Sequence, residues 1–267
     1  MRAAVCALFT EDLATYAQKP QRTTPMETAS NARRMPYAPP ETTEDLYPES
    51  DGKPRADTDL HLYWIKRVQD MLETYFSRAP GVYISGNIMM YDIEGPTRTA
   101  VSPDILVCFG IGQKFRRTYK VWEEGKPPDF VMEFSSNRTY RNDLNEKMAH
   151  YARIKIPEYF LYDPDRRYLP SPLLGFRRVE GTYVEIAADV DGGIRSEILD
   201  LNFHLMEEGL ALYDPRSERW LQTRAEQEAE RAEHAEERAE QEAAARQKAE
   251  AEVARLQEEL TRLKERM

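Results

Sequence analysis

The chain contains 267 residues, of which 41% are apolar and 31% are charged, and its formal net charge at neutral pH is −10. This apolar content is enough to bury one core, which excludes a chain that is disordered throughout. Two distant cysteines, Cys6 and Cys108, predict neither a disulfide framework nor a thiolate metal site, which suits a cytoplasmic protein.

The N-terminal region, residues 1–54, is expected to be a disordered tail. It is rich in Thr, Pro, Glu and Ser, and it has almost no apolar periodicity, so it cannot bury enough surface to offset the entropy of ordering. Its apolar stretch at residues 3–9 is followed at once by Glu11 and Asp12. We therefore expect neither a signal peptide nor a membrane span.

Residues 55–214 alternate between helical and strand patterns and are predicted to form one domain. Apolar residues at helical spacing predict a first helix from Asp59 to about Phe76, and short apolar runs predict the strands. The predicted strands lie at residues 81–93, 105–109, 130–134, 159–162, 176–179, 182–187, 198–206 and 210–213. A second helix is predicted from about Asn142 to before Pro157. This order indicates an α+β fold with a central mixed β-sheet flanked by helices.

Two of these strands carry a carboxylate that an apolar strand does not tolerate without a reason. Asp104 directly precedes the run at 105–109, and Glu133 lies inside the run at 130–134. A buried charge costs roughly several kcal/mol unless it is paired or binds a metal ion. The second helix adds Lys147, one turn after Asp143. Two carboxylates and an ammonium group are a minimal set for metal-assisted cleavage of a phosphodiester.

The chain resembles the PD-(D/E)XK nuclease superfamily and, within it, the Uma2 (Uma-two) family of restriction endonuclease domains. The resemblance rests on the order Pro103-Asp104, Glu133-Phe134-Ser135, Asp143, Lys147 and the sequence PEYFLYDP at 157–164. It extends over about residues 50–214 and implies a restriction-endonuclease-like core. Superfamily members usually carry the lysine two residues after the glutamate, where this chain has Ser135, so the ammonium group must come from elsewhere.

The resemblance implies a metal-dependent endodeoxyribonuclease, a hydrolase that cuts DNA with Mg²⁺ or, alternatively, Mn²⁺. It implies that Asp104 and Glu133 are catalytic metal ligands, that the backbone carbonyl of Phe134 adds a ligand, and that Lys147 orients the attacking water. Asp143 and Glu73, the latter on the first helix, are candidate auxiliary residues. An acid in the first turn of a helix also stabilises the helix dipole, so a purely structural role for Asp143 stays open.

Charge argues against nucleic-acid binding over the domain as a whole, because residues 55–214 contain 20 Lys and Arg against 25 Asp and Glu, a difference of −5. Local clusters could still contact the phosphate backbone. The candidate contact residues are Lys114, Arg116, Arg117, Lys120, Arg138 and Arg141. The alternative is a catalytically degenerate nuclease fold that serves as a binding or scaffold protein.

Residues 215–267 are predicted to form a long charged helical tail, since no glycine or proline occurs from Arg216 onward. Val253, Leu256, Leu260, Leu263 and Met267 follow the three-and-four spacing of a coiled coil. We expect these last residues to pair in a homo-oligomer. Upstream, over residues 220–248, a single solvated helix is an equal alternative.

Overall fold

The computed structural model describes residues 47–50, 58–95 and 99–266. Most of the predicted tail over residues 1–54 lies outside these ranges. Within the part of residues 1–54 that is described, the ring of Tyr47 packs against those of Tyr91 and Trp122, at 5.2 Å from each.

The described chain forms strands and helices in an α+β order, as the sequence predicted. The strands are β1 (Val82–Ser85), β2 (Met90–Tyr91), β3 (Ala100–Val101), β4 (Ile105–Phe109), β5 (Tyr119–Lys120), β6 (Phe130–Phe134), β7 (Glu158–Tyr162), β8 (Leu173–Val179), β9 (Thr182–Glu185), β10 (Ile194–Ser196), β11 (Leu201–Leu205), β12 (Leu210–Asp214) and β13 (Arg219–Trp220). The helices are α1 (Asp59–Tyr75), α2 (Val121–Glu124), α3 (Tyr140–Asn142), α4 (Met148–Arg153) and α5 (Arg224–Glu265). A 3₁₀ turn, Phe76–Arg78, follows α1, and a π-helical turn, Asp143–Lys147, joins α3 to α4.

The central sheet is mixed and has six strands in the order β1-β4-β6-β7-β8-β9. Within this sheet, β6 and β7 are the one parallel pair, and α3, the π turn and α4 make the crossover that a parallel pair requires. A second sheet has the order β10-β11-β12-β13, and a small third sheet has the order β3-β2-β5. The predicted α+β fold with a central mixed sheet flanked by helices is confirmed.

Both faces of the central sheet are covered, which explains why its middle strands are continuous apolar runs. Phe130 and Met132 pack on one face with residues of α1 and of the second sheet. Leu106 and Val131 pack on the other face with Tyr151 of α4. A charged side chain in these strands therefore enters a buried environment.

The C-terminal helix α5 begins at Arg224, nine residues after residue 215, where the predicted helical tail starts. β13 pairs with β12, and the Leu221 N–H donates to the Leu212 carbonyl at 2.7 Å, so the second sheet continues past Asp214. Thr223 and Glu226 form a capping box at the start of α5. From residue 228 to 266, every residue of the helix is exposed.

Within the described ranges, no helix combines the length and apolar character that crossing a membrane requires. The longest helix, α5, has 42 residues and is dominated by charged residues and alanine.

Candidate active site

Asp104 and Glu133 lie side by side at the same end of the neighbouring strands β4 and β6, inside the central sheet. The antiparallel register of β4 and β6 pairs Ile105 with Met132, so Asp104 lies opposite Glu133 at the next position. The Asp104 N–H donates to Glu133 Oε2 at 3.3 Å, and the Phe134 N–H donates to Asp104 Oδ2 at 2.9 Å. The structure thus brings the two predicted carboxylates together from positions 29 residues apart.

Lys147 reaches these carboxylates from the π turn between α3 and α4. Its Nζ lies 2.7 Å from Glu133 Oε2 and 3.4 Å from Asp143 Oδ1. Only 16% of the lysine side chain is exposed, and none of the Glu133 side chain is. π turns widen a helix locally and are frequent at functional sites. Here the turn contains both Asp143 and Lys147.

Tyr151 and Ser135 complete the cluster, and neither was predicted as a site residue. The Tyr151 hydroxyl donates to Glu133 Oε1 at 2.6 Å, and the Ser135 hydroxyl donates to Asp143 Oδ2 at 3.0 Å. Ser135 occupies the usual lysine position without its charge and orients Asp143 instead. For Tyr151, the sequence signal was its position one helical turn after Lys147.

The cluster holds three carboxylates and one ammonium group in a buried place. Burial raises the pKa of Glu133 to about 7 and that of Asp143 to about 6, and it also raises the pKa of Asp104. Burial alone would lower the pKa of Lys147, but Glu133, Asp104 and Asp143 together raise it, so the lysine stays protonated. With all four groups ionised, the cluster carries two uncompensated negative charges.

The donor chemistry of the cluster fits a hard divalent cation. Carboxylate oxygens are the ligands that Mg²⁺ and Mn²⁺ prefer. Asp143 Oδ1 is buried and accepts no hydrogen bond from the part of the chain that the structure describes. The same described residues contain no set of three or more His, Cys, Asp or Glu side chains arranged to hold a metal ion. A ligand role for the Phe134 carbonyl remains a prediction.

A family model described as "Putative restriction endonuclease", Uma2, matches residues 35–206, which is more than half of the chain. The chain belongs to the Uma2 family. The resemblance drawn from the sequence is confirmed, and the match starts inside the predicted tail. No curated protein matches the chain. A crystal structure of a putative nuclease belonging to DUF820 from Anabaena variabilis ATCC 29413 has a TM-score of 0.42 and 11% identity, covering 54% of this chain and 76% of that chain.

In this Uma2 chain, helix α1 presents His61 to the site and not the predicted Glu73. His61 is buried, and its Nε2 lies 3.9 Å from Asp104 Oδ2. Glu73 accepts a hydrogen bond from Gln69 at 2.8 Å, and no described contact joins it to Asp104, Glu133 or Lys147. The missed signal was a histidine on the apolar stripe of the helix, one turn before Ile65.

The predicted nucleic-acid contacts at 114–120 are all paired with acids. Arg116 is the clearest case, because its Nε and a terminal nitrogen each lie 2.8 Å from a Glu124 oxygen, and 2% of its side chain is exposed. The predicted phosphate contact by Arg116 is therefore wrong, because its guanidinium is buried against Glu124. The other three ion pairs are Lys114 with Glu124, Arg117 with Glu49 and Lys120 with Glu123.

Arg138 and Arg141, the remaining predicted contacts, precede the π turn and lie closer to the cluster along the chain. Both residues are exposed. The Arg138 N–H donates to the Ser136 hydroxyl at 3.4 Å, and Arg141 Nε donates to the Tyr140 hydroxyl at 2.9 Å. Their contact with nucleic acid stays a prediction.

Proposed function

We propose that this chain is a divalent-metal-dependent endonuclease that hydrolyses phosphodiester bonds of DNA. The observation that carries the proposal is the 2.7 Å contact of Lys147 with Glu133, directly beside Asp104 at the sheet edge. Membership of the Uma2 family supports the same chemistry. The cluster combines Glu133 of β6 and Asp104, which directly precedes β4, with a lysine from the π turn of the following helix.

Asp104 and Glu133 would hold Mg²⁺ or Mn²⁺, with Asp143 as a further oxygen donor. Such an ion, when bound, polarises the phosphoryl oxygen and lowers the pKa of a bound water molecule. The protonated Lys147 orients the attacking water and stabilises the negative charge that develops on the phosphate. Tyr151 fixes the second oxygen of Glu133 by its hydrogen bond, so the carboxylate presents one orientation to the site.

A second candidate is a catalytically degenerate nuclease fold that binds or scaffolds without cutting. One observation favours it: among the described residues, the carboxylates are not arranged as a metal site, and Lys147 already binds Glu133 Oε2. In this alternative, the ion pair of Lys147 with Glu133 has a structural role, and the acidic cluster does not bind a metal ion.

The two candidates are separated by nicking of supercoiled plasmid with Mg²⁺, with Mn²⁺ and with EDTA. We expect the wild type to nick with either ion and not with EDTA, and Glu133→Ala to be inactive. Glu185→Ala, which removes an exposed carboxylate from β9, is the matched control and should match the wild type. A folded wild type that cuts with neither ion would establish the scaffold reading. Parallel reactions on RNA test the preference for DNA.

A further inference from the structure

Two arginines near the candidate active site have charges that no described acid neutralises. Arg141 lies in α3, two residues before Asp143, and Arg167 lies in the loop that follows β7. Both are exposed, and among the described residues neither guanidinium forms an ion pair with a carboxylate; Arg141 donates to the Tyr140 hydroxyl instead. By contrast, the basic residues at 114, 116, 117 and 120 are all ion-paired. Exposed guanidinium groups without an acid are suited to binding phosphate.

A stacked pair of tyrosines joins the segments that carry these arginines. The rings of Tyr140 and Tyr168 lie 5.7 Å apart with an interplanar angle of 26°. Arg141 donates to the Tyr140 hydroxyl, and its guanidinium carbon lies 5.3 Å from the same ring. Arg167 directly precedes Tyr168. We call these four residues, Tyr140, Arg141, Arg167 and Tyr168, the arginine rim.

The loop that carries Arg167 is held rigidly beside the site by Asp163. This buried carboxylate accepts hydrogen bonds from four backbone N–H groups, those of residues 165, 167, 168 and 169, at 2.5 to 3.1 Å. Asp163 follows β7, and the Ser135 N–H donates to the Tyr162 carbonyl at 2.8 Å, so the loop starts at the sheet edge that holds Glu133. A loop that is fixed before binding loses little entropy on binding.

We propose that Arg141 and Arg167 bind the phosphate backbone of a DNA duplex next to the bond that the candidate active site receives. The inference rests on the proposed function and adds a binding surface to it. Phosphate contacts carry no base information, so the rim supplies affinity that depends on salt and not on sequence. The tyrosine stack holds the two segments that carry these arginines next to each other.

The test is DNA binding by the full-length protein, measured by fluorescence anisotropy with a labelled duplex in EDTA over a series of salt concentrations. Removing both rim charges, in Arg141→Ala with Arg167→Ala, should weaken binding about tenfold or more and reduce the slope of log affinity against log salt by about 1.8. Arg246→Ala with Arg262→Ala is the matched control on α5, and it should change affinity less than about twofold, as both arginines are paired with glutamates outside the rim. Arg141→Lys with Arg167→Lys keeps the charges and should keep most of the slope.

The proposal is overturned if the rim double variant binds as the wild type does, if the control loses as much affinity, or if the wild type binds no DNA. A larger loss in Arg117→Ala with Lys120→Ala, with the rim variant unchanged, would assign DNA binding to that other surface. Because EDTA removes the metal ion, an inactive metal site leaves these results unaffected. Plasmid nicking by the wild type with normal DNA binding by the rim variant would keep the nuclease proposal and reject the rim.

Discussion

At the scale of single residues, the candidate site has its ammonium group on a helix. The strand position at which superfamily members usually carry the lysine is Ser135 in this chain. Residues two apart on a strand share a face, so Ser135 lies on the side of the sheet that carries Glu133. Its hydroxyl is too short and uncharged to replace a lysine, and it binds Asp143. Lys147 places its positive charge 2.7 Å from Glu133 and comes from the π turn.

The proposed role of Lys147 predicts a large loss of cleavage in Lys147→Ala. The fold should be retained because Glu133, whose pKa burial raises to about 7, can take up a proton when the lysine is removed. Plasmid nicking should fall about 100-fold or more, the usual scale for a group that stabilises developing charge. Lys66→Ala, an exposed lysine on α1, is the control, and circular dichroism checks the fold.

Activity of Lys147→Ala within about threefold of the wild type would remove the lysine from the mechanism, because that loss is far below the expected scale. The companion variant, Ser135→Lys with Lys147→Ala, restores the commoner superfamily arrangement. We expect it to recover part of the rate if the new side chain finds room beside Glu133.

At the scale of elements, the loop after β7 depends on one buried carboxylate. The sequence pattern identified the Asp-Pro pair at 163 and 164 through the family resemblance, but not its physical role. Asp163 is fully buried, and its two oxygens accept the four N–H groups that shape the loop. Hydrogen bonds to a charged acceptor each contribute about 1.5 to 3 kcal/mol, so we expect Asp163 to stabilise this loop strongly.

Asp163→Ala should therefore lower the free energy of unfolding by about 3 kcal/mol or more, because four backbone N–H groups lose their shared charged acceptor at once. Asp163→Asn keeps an acceptor oxygen and should lose clearly less. The control is Asp165→Ala, an exposed acid in the same loop, with an expected change within about 0.5 kcal/mol. Urea unfolding followed by tryptophan fluorescence measures all three. Equal stability of Asp163→Ala and wild type would show that the loop needs no such acceptor.

At the scale of the whole molecule, α5 is the element with the least support from the rest of the chain. Arg67 pairs with Glu226 at 2.8 Å, and the Arg224 N–H donates to Asp70 at 2.9 Å, which ties only the first turn to α1. Leu256 and Leu263, both at coiled-coil positions, are 48% and 58% exposed. A helix of this length that buries nothing needs a partner to gain tertiary stabilisation.

We predict that α5 controls assembly and not chemistry. Deleting residues 224–267 should leave a folded core, since β13 and Leu221 stay with the second sheet, and light scattering should show fewer chains per particle than for the full-length protein. Leu256→Asp with Leu263→Asp should dissociate the full-length protein, whereas Ala244→Asp with Ala251→Asp, on the opposite helix face, should not. The mass of the full-length chain should depend on concentration, because two good heptads pair weakly.

An unchanged number of chains per oligomer after the deletion would place the oligomer contact in the core. If Leu256→Asp with Leu263→Asp still assembles as the wild type does, the apolar stripe of α5 does not form the oligomer contact. Either result would leave α5 as a single solvated helix, the alternative that its alanine-rich first half also permits.

The sequence by itself determined the features that depend on local pattern. β4 and β6 coincide with the apolar runs at 105–109 and 130–134, because strands buried on both faces are apolar throughout. The hairpin between β8 and β9 follows from Glu180 and Gly181, which take φ values of 48° and 95°, as a tight two-residue turn requires. The family assignment likewise rests on the order of residues along the chain.

Only the tertiary structure decided which distant groups meet. His61 faces Asp104 because α1 packs against one face of the central sheet, and the Arg116 side chain is buried because it pairs with Glu124, eight residues later. Hydrophobic periodicity predicts which side chains point into the core, but it does not predict which element they pack against. Spacing therefore identified Asp104, Glu133 and Lys147 as candidates, while strand register and helix packing brought them within hydrogen-bond distance.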